Sequence, residues 1–216
     1  MLKTKVKAST VTNLTDARYF AAWEVEYLGF CLNPQAEEYI QPKVMNAIKE
    51  WVDGVKIVGE FDMQTADEIS SAIDLLNLDA VQVGHFTTVE TLMELKAEVP
   101  VLKEIVINKD TEVNAIEEQL EQFTGSVSSF ILNFDKSGIQ WADIVAGNPV
   151  NYEWLKGICE SYPILLSIAI PTEEIEQILE ELQAEGLNVV GGEEEKVGYK
   201  SFDELDEVFE ALEVLV

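Results

Sequence analysis

Histidine and cysteine are almost missing from this chain: His85 stands alone, and Cys31 and Cys159 are the only thiols in 216 residues. Neither cysteine belongs to a Cys-x-x-Cys pair or lies near His85, so no metal site is expected. So few thiols fit a reducing cytoplasm. Basic residues are scarce as well, with 14 Lys and Arg against 41 Asp and Glu and a formal net charge of −27. Such a surface repels phosphate backbones and anionic lipid, which excludes nucleic-acid and membrane-surface binding as expected functions. No run approaches the roughly 18 apolar residues of a membrane span. The start, MLKTKVKAST, has basic residues but no apolar stretch behind them, so it does not read as a signal peptide. No Pro-rich tract or composition break divides the chain, and residues 1–216 are expected to form one domain.

What is present is ample core material, 47% hydrophobic residues, arranged in alternation. Short β-rich runs are predicted at Leu2 to Ala8, Tyr27 to Phe30, Val55 to Gly59, Ala80 to Val83, Val101 to Ile107, Phe130 to Phe134, Ile164 to Ile170 and Asn188 to Val190. Amphipathic helices fall between them. Asn13 caps the first, Thr65 and Glu68 form a capping box, Thr87-Thr88 opens another, and Thr172 caps one running to Ala184. Ser201 to Glu204 forms a further capping box for a helix that runs to the C-terminus. The stretch between Phe134 and Tyr152 is less regular. Eight strands alternating with eight helices predict a parallel sheet closed into a (β/α)8 TIM barrel. An open doubly wound sheet is the competitor. Its glycine-rich first turn is absent, since Ala8-Ser9-Thr10-Val11 stands there.

In such a barrel, chemistry sits where strands end. This selects Ser9, Thr10, Cys31, Asn33, Glu60, Asp62, Gln82, His85, Asn108, Lys109, Asn133, Asp135, Ser167, Ala169, Gly191 and Gly192. Ser9, His85, Asn133 and Asp135 are the catalytic candidates. His85 is the sole side chain that ordinarily titrates near neutral pH. Asp135 shares a strand face with Asn133. Thr10, Gln82, Lys103, Gly191 and Gly192 are the ligand-binding candidates, the lysine and the glycine turn as partners for an anion.

Several segments resemble one family. KASTVTNLTDARYFAAWEVEYLGF is similar to the start of phosphoribosylanthranilate isomerases, whose first strand ends Lys-Ile-Cys-Gly and leads into a Thr-Asn-x-x-Asp-Ala helix and a Gly-Phe at strand two. Thr12, Asn13, Asp16, Ala17, Gly29 and Phe30 fit that pattern. AVQVGH resembles the family's Val-Gln-Leu-His-Gly with the last two residues exchanged. VLKEIVI resembles strand five, and GLNVVGGEEEKVGYKSFDEL resembles the closing strand and Gly-x-Lys segment. The resemblance spans the chain. It implies a TIM barrel of the tryptophan-biosynthesis lineage, an Amadori-type isomerisation, a small phosphorylated or anionic metabolite as partner, and no cofactor.

The departures fall on the positions that would do the chemistry. Ser9 stands where the family has its cysteine base, Thr10 where a glycine follows, and Asn133 where it has its aspartate acid. Glu38, in QAEEYI, replaces an arginine. A lone serine ionises too weakly to act as a base, and an asparagine cannot donate a proton as an acid does. The family's glycine loops after strands six and seven become SGIQW and SIAIP, and only Gly191-Gly192 remains as a phosphate nest, followed by Glu193 to Glu195. The expectation is therefore a degenerate active site with weak or absent isomerase activity. The alternatives are a different small-molecule enzyme using His85 and Asp135, or a non-catalytic barrel that binds a ligand or a partner. A monomer or a homodimer is expected.

Overall fold

The computed structural model describes residues 1–191, 194–196, 199–200 and 202–214. Eight parallel strands close into a barrel: β1 (Lys5–Ser9), β2 (Tyr27–Cys31), β3 (Lys56–Phe61), β4 (Ala80–Val83), β5 (Val101–Val106), β6 (Ser129–Asn133), β7 (Ile164–Ser167) and β8 (Gly186–Val190). Each strand pairs with the next in sequence, and β8 pairs back onto β1 from Lys5↔Gly186 to Ser9↔Val190. The (β/α)8 expectation holds.

Helices α1 (Leu14–Ala22), α2 (Pro42–Lys49), α3 (Ala66–Leu76), α4 (Val89–Lys96), α5 (Val113–Phe123), α6 (Trp141–Ala146), α7 (Tyr152–Ser161), α8 (Ile175–Leu182) and α9 (Asp203–Leu212) surround the barrel. Local chemistry sets their starts. The Asn13 side chain accepts from the Asp16 N–H at 3.0 Å. Thr65 and Glu68 close a reciprocal capping box, and Thr88 caps α4.

Several boundaries differ from the sequence reading. The first strand begins at Lys5, and Leu2 makes an isolated bridge to Glu213. The stretch after β6 holds a 3-10 turn, Asp135–Ser137, and the unforeseen helix α6, closed by Gly138 and Gly147 in left-handed conformations. Thr172 opens a 3-10 turn, and α8 starts only at Ile175. The Ser201 cap lies outside the described residues. Phe202 occupies the N-cap of α9 without a side-chain cap bond. A short antiparallel pair, β9 (Glu194–Lys196) and β10 (Tyr199–Lys200), follows β8.

Two apolar regions result. The larger lies between the barrel and its helices, with Val6, Leu28, Ile57, Val81 and Val101 facing outward. The smaller fills the barrel itself with Val58, Ala80, Leu102, Ile131 and Leu165. Strands buried on both faces read as continuous apolar runs for this reason. Among the described residues, no helix is long and apolar enough to cross a membrane.

Candidate functional site

Above the inner apolar layer, every strand contributes one residue to the floor of a cavity at the C-terminal mouth. These are Ser9, Cys31, Glu60, Gln82, Glu104, Asn133, Ser167 and Asn188. The alternation of strand side chains puts all eight on the inward face. The pairings Cys31↔Glu60, Glu60↔Gln82 and Asn133↔Ser167 set neighbours side by side. The cavity measures about 760 Å³, and Thr10, Glu38, Asp62, His85, Asp135 and Lys136 line its wall and rim.

Hydrogen bonds join much of this floor into a chain. Lys7, fully buried inside the barrel, donates to Glu60 Oε1 at 2.5 Å and to Ser9 Oγ at 2.6 Å. The Ser9 hydroxyl donates to Asn188 Oδ1 at 2.6 Å. Asn188 Nδ2 donates to Ser167 Oγ at 3.2 Å, and the Ser167 hydroxyl donates to Asp135 Oδ2 at 3.0 Å. Gly29 makes room for the ion pair, because a methyl group there would overlap both Glu60 Oε1 and Lys7 Nζ. A second cluster holds Asn133. Its Nδ2 donates to Glu104 Oε1 at 2.7 Å, its Oδ1 accepts from the Lys136 N–H at 3.0 Å, and Lys136 Nζ bonds Glu104 Oε2 at 2.6 Å.

Thr10 adopts a left-handed conformation with φ of 51°. A β-branched residue is strained there, by about 1–3 kcal/mol. Glu60 accepts the Thr10 N–H at 3.1 Å, so a resident carboxylate occupies both the amide and the ammonium on this side of the mouth.

The protonation states are set by burial. Burial raises the pKa of the Asp135 carboxyl, while the Ser167 hydroxyl and the Ala169 N–H oppose the rise. Burial also raises the Cys31 thiol, which keeps it from acting as a thiolate.

The structure therefore gathers Ser9, Thr10, Gln82, His85, Asn133 and Asp135 around one cavity. His85 is exposed at the rim, edge-on to Phe86 with centroids 5.3 Å apart. Gln82 is 7% exposed, and its carboxamide oxygen has no hydrogen-bond partner among the described residues. Such an orphaned acceptor costs about 1–3 kcal/mol.

Lys103 corrects the ligand-binding expectation. It alternates to the helix side of β5, donates to the Gly84 carbonyl at 2.7 Å and lies 4.6 Å from the Phe123 ring centroid. Burial lowers its pKa to about 8, against the charges of Asp62 and Glu104. Gly191 is not among the described residues that line the cavity, and Gly192 lies outside the described residues.

Lys7, Glu104 and Asn188 lie inside their strands, beyond the reach of a rule that selects strand ends. The signal existed. A charged residue inside a strand buried on both faces, as in KVKAS or VLKEIV, demands an internal partner.

Comparison with known proteins agrees with the fold. The family model of N-(5'-phosphoribosyl)anthranilate (PRA) isomerase matches residues 6–211. The N-(5'-phosphoribosyl)anthranilate isomerase of Agrobacterium fabrum is 26% identical over 191 residues, which are 86% of this chain and 84% of the relative. The crystal structure of phosphoribosyl anthranilate isomerase from Thermus thermophilus superposes with a TM-score of 0.74 at 24% identity, covering 96% of this chain and 98% of that one. A phosphoribosyl anthranilate isomerase in complex with reduced 1-(o-carboxyphenylamino)-1-deoxyribulose 5-phosphate gives 0.75 at 19% identity, over 97% and 98%.

Proposed function

From the premise that this chain belongs to the N-(5'-phosphoribosyl)anthranilate isomerase family, we propose that it is a divergent cytoplasmic member of the tryptophan-biosynthesis lineage whose isomerase activity is absent or very weak. One observation carries the reading: the Ser9 hydroxyl is engaged on both sides, accepting from Lys7 and donating to Asn188. A base at this position must release its own proton and then take one from a substrate. Here the hydroxyl proton points at the Asn188 carboxamide oxygen, which cannot take it up, and Lys7 is a donor paired with Glu60 rather than a proton acceptor.

Two further features support it. The Asn133 carboxamide carries no acidic proton, and Glu104 and the Lys136 amide hold both of its ends. Glu38 sets a carboxylate at the mouth, and Glu60 fills the Thr10 amide, so an anionic substrate meets like charge where it needs donors.

The open mouth, in which polar groups are set among apolar surface, still favours a small-molecule ligand over a barrel that only assembles with partners. A second reading follows from Asp135. It lines the same cavity as His85, and burial raises its pKa, so these are the two side chains a different acid–base reaction in this mouth would use. A bell-shaped pH profile abolished by His85→Ala would identify such an activity.

The first reading predicts that the gene fails to rescue a tryptophan auxotroph lacking the isomerase, even when the protein is abundant and folded. Rescue at ordinary expression would sink it.

A further inference from the structure

Lys103 is the polar exception on the outer face of β5. Val101 and Ile105 flank it there, and both belong to the apolar region between barrel and helices. The side chains that α4 and α5 bury, Leu92, Leu95, Ile116, Leu120 and Phe123, carry no charge. Lys103 is only 1% exposed in these surroundings, and burial penalises its charged form. An amine kept at that cost is expected to hold something in place.

The strand register shows what it holds. The β4–β5 ladder ends at Val83↔Lys103, one residue before Gly84. The Gly84 N–H is still tied to β3, donating to the Phe61 carbonyl at 3.1 Å. Its carbonyl has no equivalent tie, since among the described residues no main-chain N–H donates to it. Lys103 Nζ donates to it instead, at 2.7 Å, so a side chain supplies the rung that the ladder lacks. Gly84 is buried, and Asp62 closes its inner side, because a methyl group there would overlap the carboxylate. Asp62 and Glu104 are the carboxylates whose charge acts on the ammonium.

The turn into α4 hangs on this residue. His85 and Phe86 follow Gly84, both exposed at the mouth, and Thr88 then caps the helix. The contact made by the His85 imidazole is with Phe86, edge-on at 5.3 Å, and Phe86 belongs to the same short turn. The main chain at the two ends of the turn therefore sets where both rings stand. One end is the Thr88 cap, and the other is the Gly84 carbonyl.

We propose that Lys103 is a positioning residue: from the helix side of the sheet it fixes the Gly84 carbonyl, and through it the place of His85 and Phe86 at the cavity mouth. This goes beyond the proposed function and does not depend on which reaction the mouth supports.

His85 is the sole histidine, so in the untagged full chain its imidazole Cε1–H gives one NMR signal that is identified without further assignment. The edge-on Phe86 ring displaces that signal, and Phe86→Leu measures by how much. Lys103→Met keeps the length of the side chain and removes the donor. It is expected to cut the Phe86-dependent displacement by about half or more, each protein being compared at the plateau of its own histidine titration. The methyl signals of Val58, Leu102 and Leu165 inside the barrel are expected to stay in place. An unchanged displacement overturns the proposal. Loss of the displacement together with movement of those methyls marks a general packing role and also overturns it. Should Lys103→Met fail to fold, ¹⁵N relaxation of the native protein decides. The His85 and Phe86 amides are expected to be as ordered as β4, with order parameters of about 0.85, and a turn looser than the strand overturns the proposal.

Discussion

Two layers share the inside of this barrel and behave oppositely. The lower is filled by Val58, Ala80, Leu102, Ile131 and Leu165, residues that need only volume and shape. The upper is a ring of hydroxyls, carboxamides and carboxylates, stitched together by Lys7 below and Lys136 above. In the lower layer a substitution changes packing. In the upper layer it leaves a hydrogen-bond or ion-pair partner unmatched. Family membership follows from the sequence and fold as a whole, whereas chemistry depends on the particular residues of the upper layer.

The largest expected effect comes from breaking the stitch. Lys7→Met leaves Glu60 buried without its cation and is expected to lower stability by about 3–5 kcal/mol, read from urea midpoints. The double variant Lys7→Met/Glu60→Leu should recover more than half of that loss, making the upper layer resemble the lower. If the single variant is neutral, the ion pair is not what organises the floor.

A pH titration gives the next effect. Lys103 keeps its proton in the unfolded chain up to its ordinary value of 10.5, but in the folded protein loses it at about 8. The folded state therefore binds fewer protons across that window. Stability should rise with pH from about 8 to 10.5, and the gain disappears as pH falls back through about 8. Lys103→Met should flatten this rise by more than about 1 kcal/mol, measured as urea midpoints across the window.

Thr10→Gly is expected to have the smallest effect. It relieves the strained φ of 51° and should raise stability by about 0.5–1 kcal/mol in thermal or urea unfolding. A loss of stability would mean that the Thr10 side chain contributes more than its backbone strain costs.

The barrel was legible because alternation and caps are local. Asn13, Thr65 and Thr88 announce their helices, and strands such as Ala80–Val83 are read to the residue. Helix α6 was not, since its short run from Trp141 to Ala146 sits in a connection whose turns depend on Gly138 and Gly147 adopting left-handed conformations. At the mouth, the strand-end rule found Ser9, Gln82, Asn133 and Asp135. Lys103, chosen for its charge, falls on the helix side, because the face a strand residue takes depends on register, which charge and nearness to a strand end do not fix. The strand-end rule missed the Lys7–Glu60 pair because the two are 53 residues apart in sequence and meet only when β1, β2 and β3 close up around Gly29.

Turnover of phosphoribosylanthranilate by the purified protein, measured beside its Asp135→Asn variant, tests the central claim most directly. A floor whose serine is held between lysine and asparagine should give no conversion above the spontaneous rate in either protein. Efficient conversion by the native chain, lost on Asp135→Asn, would show that a displaced carboxyl has taken over the acid's task and that the old chemistry survives.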